Sequence, residues 1–212
     1  MRGALLRSAA VGVATVACLT LSITPVVAQT DMAKVNVDSA RRTYTAADVF
    51  FMKGMIGHHA QAVLMAGWAP THGASQSLQA LCARIAVGQT DEIHLMQTWL
   101  RDRHEEVPAG DATMDMMPGM DESHLMPGML TADELNQLDK SRGADFDRLF
   151  LTFMIKHHQG AITMVNTLFG SQGAGEEETI FRFASNVYAD QTTEIDRMSK
   201  MLAAMPPSGH GQ

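Results

Sequence analysis

Phe51-Met52-Lys53-Gly54-Met55-Ile56-Gly57-His58-His59-Ala60-Gln61-Ala62 decides the architecture, because its pattern occurs twice. Met154-Ile155-Lys156-His157-His158 repeats its centre 99 positions later. The match extends outward, Asp48 and Phe51 against Asp147 and Phe150, Ala62 and Met65 against Ala161 and Met164. A second block, Gln89-x-x-Glu92-Ile93-x-x-Met96, returns as Gln191-x-x-Glu194-Ile195-x-x-Met198 at an offset of 102. The chain is two versions of one unit.

Helix signals bound each version. Thr45 with Asp48 three residues on forms a capping pair and predicts a helix to about Trp68, stopped by Pro70 and Gly73. Ser75 or Ser77 opens a second helix, with Leu78, Leu81, Ile85, Ile93, Met96 and Leu100 near a 3.6-residue spacing that fades over 101–106. Thr131 with Glu134 predicts a short helix ending near Gly143. A third long helix is expected over 144–169 and a fourth over 176–204, with a glycine-rich loop between them and Pro206-Pro207 closing the last. No strand pattern competes. The expected fold is all-α, a four-helix bundle built from two repeated helical hairpins. Repeat one covers 45–104, a Met-rich crossover 105–130 and repeat two 131–205, with a disordered tail over 206–212.

Arg2 and Arg7, then a largely apolar stretch closing on Val26-Val27-Ala28, read as a cleaved signal peptide over 1–28, followed by a flexible tether over 29–43. The mature chain would be periplasmic or secreted. It would keep 14 of the 16 basic residues and all 23 acidic ones, a formal −9. Such a charge argues against nucleic acid, which needs a basic face, and suits cations. Cys82 would be the only cysteine left, so no internal disulfide can form. The 17 methionines are the unusual component.

Each repeat carries sulfur and nitrogen donors at helical spacing. Met55 lies three and four residues before His58 and His59, and Met154 stands likewise to His157 and His158, so the donors neighbour one another on the helix. Met65 and Met164 follow seven residues after His58 and His157 on the same stripe. Asp48 and Asp147 precede His59 and His158 by eleven, giving an expected row of oxygen, sulfur and nitrogen along each helix. A methionine stripe alone would read as core filling. Adjacent histidines point about 100° apart and cannot both be core for one reason. Thioether with imidazole suits Cu(I), with Ag(I) as its mimic; imidazole with carboxylate suits Cu(II) or, less well here, Zn(II).

The primary expected metal ligands are therefore Met55, His58, His59, Met65, Met154, His157, His158 and Met164. Asp48, Met52, Met96, Asp147 and Met198 are auxiliary candidates, as are Met117, Met120, Met126 and Met129 of the two Met-Pro-Gly-Met tetrads in the crossover and Met114, Met116 and His124 beside them. Glu92 or Glu194 could accept a hydrogen bond from a ligating imidazole and fix its tautomer, with Gln89 and Gln191 on the same faces. Cys82 reads as a buried inert thiol. No phosphate-binding loop, nucleophile elbow or paired-cysteine site is present. The one approach to a di-iron Glu-x-x-His motif, Asp91-x-x-His94, has no counterpart in repeat two.

Phe51 with Met55-Ile56-x-His58-His59-x-x-Ala62, the Met-Pro-Gly-Met tetrads and Gln89-x-x-Glu92-Ile93-x-x-Met96 together resemble the bacterial domain-of-unknown-function family 305, over roughly 45–204. That resemblance implies a ferritin-like helical bundle and an exported copper binder serving homeostasis or resistance, with the His-His and Met positions as ligands. The expected ligand is a metal ion, and the expected exchange partner a copper-handling protein of the envelope. Two other readings stay open at this point: a ferritin-like redox enzyme acting on a metal or oxygen species, and a metal-free envelope interaction module.

Overall fold

The computed structural model describes residues 43–111 and 125–206. The expected signal peptide, tether positions 29–42, Met114, Met116, Met117, Met120 and His124, and the tail beyond Pro206 lie outside the described residues. Among those residues the chain forms five helices and no strand: α1 Ala46–Gly67, α2 Gln76–Asp102, α3 Ala132–Lys140, α4 Gly143–Gly170 and α5 Glu178–Ala203. The all-α expectation holds. α1 packs with α2 and α4 with α5 as two hairpins, and α1 meets α4 across them.

Local chemistry sets the helix ends. Thr45 accepts from the Asp48 backbone N–H, while Asp48 Oδ2 accepts from the Thr45 N–H at 2.6 Å, a complete capping box. Thr131 and Glu134 repeat the device at α3. Ser75, not Ser77, caps α2. Two boundaries differ from expectation. α3 ends at Lys140 rather than near Gly143, because Ser141 is extended and α4 begins at Gly143. α5 begins at Glu178 rather than at 176, because the Glu177 carboxylate accepts from the Ile180 N–H and acts as the cap.

The core is two apolar clusters. One joins Phe51, Met55 and Ile56 of α1 to Met164, Val165 and Leu168 of α4. The other joins Ala62, Met65 and Ala66 of α1 to Phe146, Phe150 and Met154 of α4. The N-terminal half of each helix therefore faces the C-terminal half of the other, and the two run antiparallel. α2 and α5 divide the same way, Leu81 and Ile85 opposite Met198 in one cluster, Ile93 and Met96 with Val187 in the other. Between the clusters lies a buried polar layer: His58, His59, Gln89, His157, His158 and Gln191. Burying such groups is costly unless each finds a partner. This layer is where stability alone does not explain the sequence.

Two carboxylates latch the hairpins reciprocally. Asp48 Oδ1 accepts from the Gly175 N–H at 2.7 Å in the α4–α5 turn. Asp147 accepts from the Ser75 N–H at 3.2 Å in the α1–α2 turn. The end of the crossover, 125–130, then lies across α1 and α4 at the level of the polar layer. Gln61 holds it with a pair of hydrogen bonds, donating to the Leu130 carbonyl at 3.1 Å and accepting from the Leu130 N–H at 2.7 Å. Gly160 makes the approach possible: a Cβ there would stand 1.8 Å from the Pro127 carbonyl oxygen.

Candidate metal centre

The two His-His pairs meet. His58 of α1 and His157 of α4 have ring centroids 3.7 Å apart, tilted by 37°. The repeats thus contribute to one layer at the middle of the bundle, not to two remote positions. His59 and His158 flank this pair, each 6.3 Å from its neighbour in sequence. All four rings are buried.

Hydrogen bonding assigns the protons. His59 Nε2 lies 2.7 Å from Glu92 Oε2, and His158 Nε2 lies 2.6 Å from Glu194 Oε2. A carboxylate accepts, so each Nε2 carries the proton and each Nδ1 presents a lone pair. The Pro127 carbonyl, 3.1 Å from His58 Nε2, fixes the same tautomer there. The Nδ1 atoms of His58, His59 and His158 and both nitrogens of His157 have no hydrogen-bond partner. Burial pushes His58 down to about 3, with the nearby His59 adding to the effect and the Pro127 bond opposing it. Burial, then His58, holds His157 well below the usual imidazole range. Burial also lowers His158, against the pull of its Glu194 bond. His58, His157 and His158 are therefore neutral at neutral pH, the state in which imidazole ligates.

His72 shows how a structural histidine differs. It too is buried. Its Nδ1 meets Thr71 Oγ1 at 3.0 Å, and its Nε2 meets the Asp139 carbonyl at 2.9 Å and Oδ1 at 3.0 Å. Both nitrogens are satisfied, and the ring pins the α1–α2 turn to the end of α3. The four mid-layer rings keep five unpartnered nitrogens between them; a neutral imidazole has one lone-pair nitrogen, so four of the five can act as donors to a cation. Among the described residues no three His, Cys, Asp or Glu side chains are already gathered as a metal-holding cluster.

The thioethers do not form the single row expected along each helix. Met55 and Met154 are buried and lie one turn before His58 and His157, within reach of the layer. Met65 and Met164 lie about 10 Å further along their helices than those histidines. They belong to the opposite apolar clusters, Met65 with Met154 and Met164 with Met55. Met52 and Met96 join the latter cluster, Met129 and Met198 the former. Met126 packs against both, and its Sδ stands 3.2 Å from where a Gly54 Cβ would be, with the Met164 methyl at 3.4 Å. This contact gathers two thioethers one turn from His58.

Asp48 and Asp147 lie about 16 Å along the helix from His59 and His158 and serve the latches described above, so their oxygens are not in the layer. Cys82 is buried in the Met65 cluster, and desolvation raises its thiol to about 12. Three contributors carried no ligand signal in the sequence: Pro127 through its carbonyl, Gln61 through its grip on Leu130, and Gly160 through its missing side chain. Gly160 stands at the position matching Gln61 in the 99-residue repeat, a break in the echo that marks where the crossover lands.

The family model for DUF305, a domain of unknown function, matches residues 48–202. The chain belongs to this family. No curated protein matches it. Among solved structures, a DUF305 fragment from Deinococcus radiodurans is 25% identical, with a TM-score of 0.65 over 76% of this chain and 99% of that one. A DUF305 protein from Streptomyces coelicolor, described as a candidate secreted protein, is 27% identical, with a TM-score of 0.62 over 74% and 92%. CopM in its Cu(II)-bound form is 28% identical, with a TM-score of 0.59 over 74% and 95%. CopM is also known in Cu(I)-bound and Ag-bound forms.

Proposed function

We propose that this DUF305 protein is an exported copper binder that sequesters or passes on Cu(I), accepts Cu(II) more weakly, and turns over no substrate. The observation that carries the reading is the buried layer in which His58, His59, His157 and His158 keep five unpartnered ring nitrogens between them. Glu92 and Glu194 orient two of these rings, as carboxylates do behind metal-bound histidines. Met55 and Met154 supply soft sulfur beside nitrogen, a combination that favours Cu(I) and its mimic Ag(I) over Zn(II). The likeness to CopM, a protein known in Cu(I)-, Cu(II)- and Ag-bound forms, supports the same choice. Export rests on the N-terminal signal pattern. Asp91 and His94, the approach to a di-iron motif in the sequence, are exposed and outside the layer.

The test is titration of Cu(I) into the purified mature chain against a chromophoric chelator. Stoichiometric uptake is expected, abolished when all four paired histidines become Ala and weakened in Met55→Leu with Met154→Leu, helicity being checked for each. Affinity unchanged in the four-histidine variant refutes the assignment. Copper must also raise the melting temperature, since a ligand bound only by the native state adds stability. An unmoved melting temperature leaves the metal-free module.

A further inference from the structure

The bundle is not equally closed on all sides. α2 and α5, the outer helices of the two hairpins, do not approach each other as α1 and α4 do. A cleft of about 280 Å³ opens between them, lined by Gln89, Glu92, Asp190, Gln191 and Glu194. Gln89 and Gln191 are each 3% exposed. Both amide atoms of Gln89 and Oε1 of Gln191 have no partner. A buried amide without a partner is costly, and its presence in both repeats points to a ligand.

The cleft is lined by oxygen donors, although Asp190, Glu92 and Glu194 are not drawn together as a ready-made cluster, so an ion there would keep part of its water shell. Glu92 and Glu194 give Oε2 to His59 and His158, and each keeps Oε1. Asp190 is exposed at the rim. Its carboxyl is raised by partial desolvation and by the facing Glu92 and Glu194, a crowding of like charge that a cation would relieve. Arg84 and Arg197 line the same cleft. Among the described residues neither closes an ion pair with the three carboxylates, so the mouth retains negative charge.

We propose that this cleft is a second metal site, taking a hydrated divalent cation on oxygen ligands from Asp190, Glu92 and Glu194 with the amide oxygens of Gln89 and Gln191. Carboxylate and amide oxygens suit hard ions such as Mn²⁺, Mg²⁺ or Ca²⁺, whereas the layer beneath suits soft ones. Glu92 and Glu194 join this site to the layer beneath through His59 and His158, whereas Asp190 and the glutamine amides take no part in the imidazole–thioether set.

Mn²⁺ serves as the probe, since it is hard and its free hexaaqua form gives a strong paramagnetic resonance signal. Titrated into the purified metal-free chain, it should lose signal to one bound ion per chain. Asp190→Asn, a rim substitution that leaves the core untouched, should weaken that binding about tenfold, as ligand charge sets affinity at oxygen sites. Gln89→Leu with Gln191→Leu should weaken it as well. Met55→Leu with Met154→Leu should leave Mn²⁺ binding unchanged while lowering Cu(I) affinity, which separates failure of this inference from failure of the copper reading. No Mn²⁺ uptake up to millimolar concentration, or equal uptake by the wild type and Asp190→Asn, overturns the proposal.

Discussion

Mild acid should destabilise the metal-free protein well above the pH at which its carboxylates titrate. His58 titrates near 6.5 in the unfolded chain and at about 3 in the fold. Because the folded value is depressed, its contribution is complete above pH 6.5 and is lost as pH falls toward 3. At pH 5 the unfolded state has taken up a proton that the native state refuses, a cost of about 2 kcal/mol from His58 alone. His157 and His158 are shifted the same way and add to it. Against a typical total of about 5–15 kcal/mol, the loss is large. Urea unfolding at pH 7, 6 and 5, with chelator present, measures it as a falling midpoint at constant slope. Glu134 and Glu177, held below the usual carboxylate range, titrate outside this window. His58→Leu should flatten the dependence by about 1.4 kcal/mol per pH unit, the share of one proton. A midpoint that does not move between pH 7 and 5, or the same slope in His58→Leu, refutes the reasoning.

Gly160→Ala should lower stability by about 1–3 kcal/mol, because the new Cβ meets the Pro127 backbone rather than a yielding side chain. Gly57→Ala, with nothing within 4 Å of its Cβ, should gain up to about 1 kcal/mol from helix propensity; similar urea midpoints for the two would contradict the steric argument. Asp48→Ala removes the carboxylate half of the α1 capping box and the Gly175 latch and should cost about 2–3 kcal/mol while leaving Cu(I) affinity unchanged. A tenfold weaker chelator competition would instead return this carboxylate to the ligand set. Cys82, buried and raised to about 12, should resist alkylation at pH 8 until the chain is unfolded, and rapid native labelling would show the thiol to be accessible.

The helices were legible because their punctuation is local. Thr45 with Asp48 and Thr131 with Glu134 name their own boundaries, and each capping box closes within four residues. The pairing of histidines with glutamates could be anticipated from the repeat, since both blocks conserve their spacing in the two halves. What could not be anticipated is which helix faces which, and in what direction. Phase on one helix puts Asp48, Met55, His58 and Met65 on related faces, but at 1.5 Å per residue the ends of that row are about 25 Å apart. Antiparallel packing then gives Met55 to Met164 and Met65 to Met154. Asp48 spends its charge on a turn 127 residues away, a partner no single-helix pattern encodes. Pro127 reaches His58 through its carbonyl, a group every residue has, so sequence offers no mark for it.

The reciprocal grip of Asp48 on Gly175 and Asp147 on Ser75 bears on how an ion leaves. Prising the two halves apart would rupture both clasps at opposite extremities simultaneously, a concerted event that thermal fluctuation seldom achieves. Lifting residues 125–130 breaks the Gln61 and His58 tethers, draws Met129 and Leu130 out of one apolar cluster, and uncovers the imidazoles from one flank. An ion bound as proposed would then leave past the short strap, with the two hairpins still clasped.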